Sequence, residues 1–144
     1  MPSDHADILY RISHLKRDFR LQRGILHVIK DLSLEIQDHS WTALVGRSGS
    51  GKTTLLQLLG GLDRPTAGSI LFRGEDLARL PGRRLTQLRR REFGFVFQSY
   101  HLLPELSALE NAALPALHWG DSRDETYARE IGRASCRERV FLTV

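Results

Sequence analysis

Three glycines, a lysine and two threonines fall within residues 46–54, which read Gly-Arg-Ser-Gly-Ser-Gly-Lys-Thr-Thr. Glycine has no Cβ, so the backbone can wrap closely around a ligand and present its N–H groups to an anion. A lysine amine adds a positive charge on a flexible stem, and a threonine hydroxyl can ligate Mg²⁺. This spacing is therefore typical of a loop that binds nucleotide phosphates together with a magnesium ion.

Each position of this loop has a predicted role. Lys52 is expected to reach the β- and γ-phosphates, Thr53 to ligate Mg²⁺, and Thr54 to lie near the α-phosphate. The rest of the predicted phosphate cradle consists of Gly46, Ser48, Gly49, Ser50 and Gly51. The alternative is a glycine- and serine-rich turn that only caps a helix. The Gly-Lys-Thr order directly before an apolar helical segment favours phosphate binding.

The loop needs a strand leading into it and a helix leading out of it. Residues 40–45 are a short apolar run that ends at Gly46, which predicts a buried strand, and residues 55–59 predict a helix. A serine and a glutamate three residues apart, Ser107 and Glu110, form a capping box that predicts another helix start, and Pro115 is expected to kink or end that helix. The other predicted elements are strands at residues 8–12, 32–36, 69–74 and 93–97, and a helix at residues 80–91, interrupted near its start by Pro81-Gly82.

Composition limits the class of protein. With 144 residues, 41% hydrophobic and 26% charged, the chain is long enough for one domain with a core. No apolar run approaches the roughly 18 residues of a membrane span, and the polar N-terminus does not resemble a signal peptide. The single cysteine, Cys136, is compatible with a reducing compartment, and the six histidines lack metal-ligand spacing. We therefore expect a cytosolic protein with no metal beyond nucleotide-bound Mg²⁺.

The net charge of +4 comes largely from one arginine-rich segment. Its arginines are Arg83, Arg84, Arg89, Arg90 and Arg91. A nucleic-acid surface is one interpretation, but no aromatic platform or known binding motif accompanies these side chains. A solvated helix face is favoured, and no nucleic-acid partner is expected.

The order of the motifs resembles the ATP-binding subunit of an ABC transporter over residues 8–117. Besides the phosphate loop, residues 62–70 resemble the family's turn into the next strand of an antiparallel β lobe, and residues 95–98 resemble its Q-loop. Within the family, the chain is similar to the subgroup that drives lipoprotein-releasing and macrolide-export complexes; the residues that suggest this are 58–63, 98–104 and 109–112. The resemblance implies an α/β fold, a P-loop NTPase of the ABC type with an antiparallel β lobe and an incomplete parallel sheet core.

The resemblance also implies site residues outside the loop. Phe19 sits where the family places an aromatic ring that stacks on adenine; the alternative is a core residue of the β lobe. Val28 is expected beside the same ring. Lys52 and Gln98 are the two predicted catalytic residues. Gln98 would ligate Mg²⁺ or the attacking water and sense the γ-phosphate; the alternative is an ordinary glutamine at a strand end. Residues 100–106 would meet the membrane subunit or form a plain loop.

Several parts of the family's machinery are missing from the sequence. The Walker B strand with its aspartate and glutamate, the LSGGQ-type signature and the switch histidine do not occur. Residues 1–129 are therefore predicted to be a partial ATP-binding domain. Residues 130–144 are predicted to be a non-native tail, since residues 130–140 resemble the translation of a common sequencing adapter; a divergent natural helix is the alternative. We expect weak or absent ATPase activity, low stability and aggregation of the 144-residue chain.

The resemblance implies that the full-length protein is an ATPase. Two copies would enclose ATP and Mg²⁺ and energise an integral membrane permease, on the inner face of the cell membrane. The alternatives are a non-transport ABC-type switch module, another P-loop enzyme such as a small-molecule kinase, and an inactive truncated gene product. Residues 100–106 favour transport, and residues 62–70 and 95–98 disfavour a kinase.

Overall fold

The computed structural model describes residues 8–96, 103–108, 110–111 and 140–143. The chain divides into two compact units, Met1–Arg89 and Arg90–Val144. The elements are, in chain order, β1 (Ile8–Leu21), β2 (Gly24–Gln37), α1 (Lys52–Leu59), β3 (Ala67–Phe72), β4 (Glu75–Asp76), α2 (Gly82–Glu92), β5 (Phe93–Val96) and β6 (Val140–Thr143).

The first unit contains an antiparallel sheet with the strand order β2-β1-β3-β4. β1 and β2 form a hairpin in which Ile12 pairs with Leu34, Phe19 with Leu26 and Leu21 with Gly24. Both strands are longer than their apolar runs predict, because the ladder continues through polar residues whose backbone groups still need partners. The antiparallel lobe predicted from residues 62–70 is confirmed, and the strand predicted at residues 32–36 is part of β2.

The core of the first unit lies between this sheet and α1. Its most deeply buried side chains are Tyr10, Ile12, Leu15, Leu58, Ile70 and Phe72. The Tyr10 and Phe72 rings lie 5.1 Å apart, and the Tyr10 hydroxyl donates to the Leu59 carbonyl at 3.0 Å. That carbonyl belongs to the last turn of α1, where the helix leaves acceptors free. Burial raises the pKa of Tyr10. Tyr10 therefore joins the sheet to the end of the helix.

The helix α2 agrees with the prediction for residues 80–91. It buries Leu85 and Leu88, and the Arg89 guanidinium donates to the Gly61 carbonyl at 3.1 Å. The other arginines of the basic segment, Arg83, Arg84, Arg90 and Arg91, are exposed, and Arg84 pairs with Glu75 at 2.7 Å.

In the second unit, β5 and β6 pair in parallel, with Phe93 opposite Val140. β5 confirms the strand predicted at residues 93–97 as far as residue 96, where the described residues end, and β6 lies within the predicted tail. Ser107 and Glu110 form the expected capping box: the Ser107 N–H donates to Glu110 Oε2 at 2.9 Å, and the Glu110 N–H donates to Ser107 Oγ at 3.3 Å. Pro115 and Cys136 lie outside the described residues.

The buried strand predicted at residues 40–45 is wrong. These residues have no regular structure, and the side chains of Trp41 and Val45 are 103% and 89% exposed. A strand is stable only when a neighbour pairs with its N–H and C=O groups. In the described part of the first unit, the sheet ends at β2 and β4 and pairs with no residue of this segment. The apolar composition of residues 40–45 predicted a strand, but no neighbouring strand of the described sheet pairs with these residues.

Candidate nucleotide-binding site

The phosphate loop turns into α1 at Gly51. This residue is the N-cap of the helix, with φ 91° and ψ 7°, and no side chain caps the helix there. The Leu55 N–H donates to the Gly51 carbonyl at 2.9 Å. The first turn carries no acidic residue, so no carboxylate of that turn neutralises its positive end. Free N–H groups and the helix dipole together favour an anion at this position.

Lys52 folds back over the loop. Its ammonium donates to the carbonyls of Gly46 at 2.8 Å and Arg47 at 2.7 Å, with Ser50 Oγ at 3.5 Å. The Ser50 N–H donates to the Arg47 carbonyl at 3.2 Å. A Cβ added to Gly46 would lie 2.8 Å from Ser50 Oγ, so a larger residue would disturb the curled loop. The predicted lysine and glycines are thus brought together in one compact turn.

The loop rests on the hairpin through Gly51. A Cβ built on Gly51 would lie 3.0 Å from Val28 Cγ1 and 3.2 Å from the Val28 carbonyl oxygen. Val28 lies two residues beyond Leu26, the partner of Phe19 across the ladder, at an irregularity of the pairing between His27 and Ile29. The hairpin that carries Phe19 therefore contacts the phosphate loop directly.

Phe19 is half-buried and is not among the core residues. The guanidinium carbon of Arg17 lies 4.2 Å from its ring centroid. An open recess lies beside the ring, lined by Arg17, Asp18, Phe19, Arg20, Ile25 and Thr66. A partly exposed ring at the edge of a recess can stack on a planar base.

The remaining predicted residues lie in or outside the loop. Ser48, Gly49, Ser50 and Thr53 are exposed, and Thr54 is half-buried. Gln98 lies outside the described residues, as do residues 100–102 of the predicted membrane-subunit surface. Among the residues that the structure describes, no cluster of three or more His, Cys, Asp or Glu could hold a metal. The donor set fits Mg²⁺ held by the Thr53 hydroxyl and by oxygens of a bound phosphate, a pattern that this ion prefers.

The ion pair between Arg17 and Asp63 was not predicted from the sequence. The Arg17 guanidinium donates to both carboxylate oxygens of Asp63, at 2.8 Å and 3.0 Å. The two residues lie 46 positions apart, and no local pattern pairs them. The available signal was an arginine two residues before Phe19 and an aspartate in the turn after α1.

A family model described as "ABC transporter" matches residues 29–143, most of the chain. The chain belongs to the ABC transporter family. The macrolide export ATP-binding/permease protein MacB of Rhodopseudomonas palustris is 47% identical over 82% of this chain and 18% of its own length. The pyoverdine export ATP-binding/permease protein PvdT of Pseudomonas syringae pv. tomato is 50% identical over 72% of this chain and 16% of its own length. The chain thus spans less than a fifth of the length of these two relatives.

A solved ABC structure shows the same fold. The ATP-binding cassette MJ0796, in a dimeric structure bound to ADP and Pi, superposes with a TM-score of 0.79 and 32% identity, covering 85% of this chain and 54% of that one. The predictions of an ABC-type P-loop fold and of likeness to macrolide-export proteins are confirmed. Within the described residues of this ABC chain, no helix is long and apolar enough to cross a membrane.

Proposed function

We propose that this ABC domain binds ATP with Mg²⁺ through residues 46–54 and the N-terminus of α1. The observation that carries the proposal is the geometry of this turn. The Lys52 ammonium lies over a glycine-rich loop, and the loop leads into a helix whose N-terminus has no side-chain cap. Phosphate oxygens are charged acceptors, whereas the carbonyls of Gly46 and Arg47 are neutral. Lys52 is therefore expected to exchange these carbonyls for the β- and γ-phosphate oxygens, since charge-assisted hydrogen bonds are stronger.

Each residue of the site has one task in this proposal. The loop N–H groups bind the phosphates, Thr53 holds Mg²⁺, and Phe19 stacks on the base. When bound, the magnesium ion neutralises charge on the β- and γ-phosphates. Gln98 is the proposed ligand of the ion or of the attacking water.

The proposed role of the full-length protein is to hydrolyse ATP and energise an export permease. This is supported by relatives named as macrolide and pyoverdine export ATP-binding/permease proteins. A second copy as partner is supported by the dimeric cassette MJ0796. The proposed location is the inner face of the cell membrane, through the permease. The proposed exported substrate is a macrolide, pyoverdine or a lipoprotein, with the choice among them assigned to the permease.

Nucleotide binding is tested by isothermal titration of the 144-residue chain with ATP in excess Mg²⁺. Lys52→Ala should weaken binding at least about tenfold, which corresponds to about 1.4 kcal/mol, a value just below the range for a hydrogen bond to a charged group. Lys30→Ala is the matched control, because Lys30 is exposed on β2 and lies outside the loop. Equal affinities for the two variants would refute the proposal.

Transport is tested separately with the full-length protein in proteoliposomes. Substrate should accumulate only when ATP is supplied on the side of the nucleotide-binding domain, and Lys52→Ala should abolish that accumulation. Accumulation that is independent of ATP would exclude the proposed coupling. The 144-residue chain is expected to bind ATP with weak or absent turnover.

A further inference from the structure

Three contacts fasten the turn after α1 to the end of β1. Arg17 forms its two hydrogen bonds with Asp63, the Thr66 N–H donates to the Lys16 carbonyl at 2.8 Å, and the Asp18 N–H donates to Thr66 Oγ1 at 2.9 Å. We call Arg17, Asp63 and Thr66 the turn clamp. The side chains of Arg17 and Asp63 are only 21% and 27% exposed. Two parallel hydrogen bonds to one carboxylate, in a partly buried pair, hold the orientation of a guanidinium more firmly than an exposed ion pair does.

Arg17 of the turn clamp also contacts the Phe19 ring. The guanidinium that binds Asp63 also covers one face of Phe19, at 4.2 Å from the ring centroid, well inside the distance at which a cation attracts an aromatic face. Because Asp63 holds the guanidinium, the guanidinium in turn restricts the tilt of the ring. Because the guanidinium occupies one face of the ring, a planar ligand can stack only on the opposite face.

We infer that Arg17 is a positioning residue for the nucleotide base. Asp63 orients Arg17, and Arg17 holds the Phe19 ring so that its other face receives the adenine. The inference rests on the proposed binding of ATP at the phosphate loop. Asp63 follows α1, whose first turn forms the phosphate site, so the turn clamp also sets the spacing between the base and phosphate subsites.

The test compares ATP with inorganic tripolyphosphate, which has the phosphates and no base. In Arg17→Met, affinity for Mg²⁺-ATP should fall about five- to tenfold, the range expected when a partly desolvated cation–π contact no longer orders the ring. Affinity for tripolyphosphate should stay within about twofold of wild type, since the loop is untouched. Arg11→Met is the matched control: Arg11 lies on the same strand and pairs with Glu35 at 2.6 Å.

A double variant distinguishes positioning of the Phe19 ring by Arg17 from a general contribution of Arg17 to the stability of the fold. In a Phe19→Leu background, Arg17→Met should cause no further loss of ATP affinity, because the ring on which it acts is gone. Arg17→Lys, which keeps the charge without the fork, should lose part of the preference for ATP and serves if Arg17→Met does not fold.

Three results would overturn the inference. Equal losses for ATP and tripolyphosphate would show that the turn clamp only supports the fold. Unchanged or tighter ATP binding in Arg17→Met would show that Arg17 covers the face that the base needs. A further loss from Arg17→Met in the Phe19→Leu background would show that it acts elsewhere. The proposed function is judged independently, by whether the wild-type chain binds ATP and tripolyphosphate at all.

Discussion

Gly51, the N-cap of α1, lies beside Val28 of the hairpin: a Cβ built on Gly51 would be 3.0 Å from Val28 Cγ1 and 3.2 Å from the Val28 carbonyl oxygen. Gly51 also has a left-handed backbone, with φ 91°. Two requirements therefore act on the phosphate loop at one residue: a conformation that favours glycine, and a space in which a methyl group would press on Val28. This contact makes the position of the phosphate site depend on the hairpin.

Gly51→Ala should reduce both stability and nucleotide binding. We expect a loss of about 2–4 kcal/mol in the free energy of unfolding, combining backbone strain with the contact to Val28. Gly74→Ala is the control, because Gly74 has φ 84° but nothing within 4 Å of an added Cβ, and should lose about 1 kcal/mol. Chemical denaturation and ATP titration measure both effects. Equal losses in the two variants would contradict the importance of the contact.

Thr53→Ala should remove the benefit of Mg²⁺ without removing nucleotide binding. ATP affinity in EDTA should match wild type, whereas the increase on adding Mg²⁺ should be lost, because the hydroxyl is the proposed protein ligand of the ion. Thr42→Ala makes the same chemical change at an exposed residue outside the loop. A normal magnesium response in Thr53→Ala would argue that other groups hold the ion.

Tyr10 should make the chain sensitive to alkaline pH. Burial raises the pKa of Tyr10 above its unfolded value of about 10, so its stabilising contribution is complete below pH 10 and is lost as pH rises further. Tyr10→Phe should cost about 1 kcal/mol at neutral pH, because the hydrogen bond to the Leu59 carbonyl disappears. Above pH 10 the wild type should lose stability faster than the variant. Parallel denaturation curves across this range would exclude the effect.

The segment at residues 40–45 should promote self-association. Trp41 and Val45 are exposed apolar residues in a segment whose backbone joins no sheet of the described residues. The double variant Trp41→Ser, Val45→Ser should increase the monomer fraction in light scattering after gel filtration. Leu21→Ser, at an exposed site in the hairpin, should change little. A wild type that stays monomeric at all concentrations would disprove this expectation.

The sequence by itself determined the features that depend on near neighbours. The phosphate loop, the helix predicted at residues 55–59 and the capping box of Ser107 and Glu110 each involve residues a few positions apart. Their conformations follow from glycine geometry and from local hydrogen bonds, so residue type and spacing are sufficient to predict them.

Only the tertiary structure decided the features that depend on distant partners. The run at residues 40–45 looks like a strand but has no neighbour in the described sheet, whereas the polar end of β1 is a strand because β2 pairs with it. Likewise, Arg17 meets Asp63, and Gly51 meets Val28, only after the hairpin folds over α1. Backbone pairing and side-chain contacts across long separations carry no local pattern, and these contacts set where the loop and Phe19 stand relative to each other.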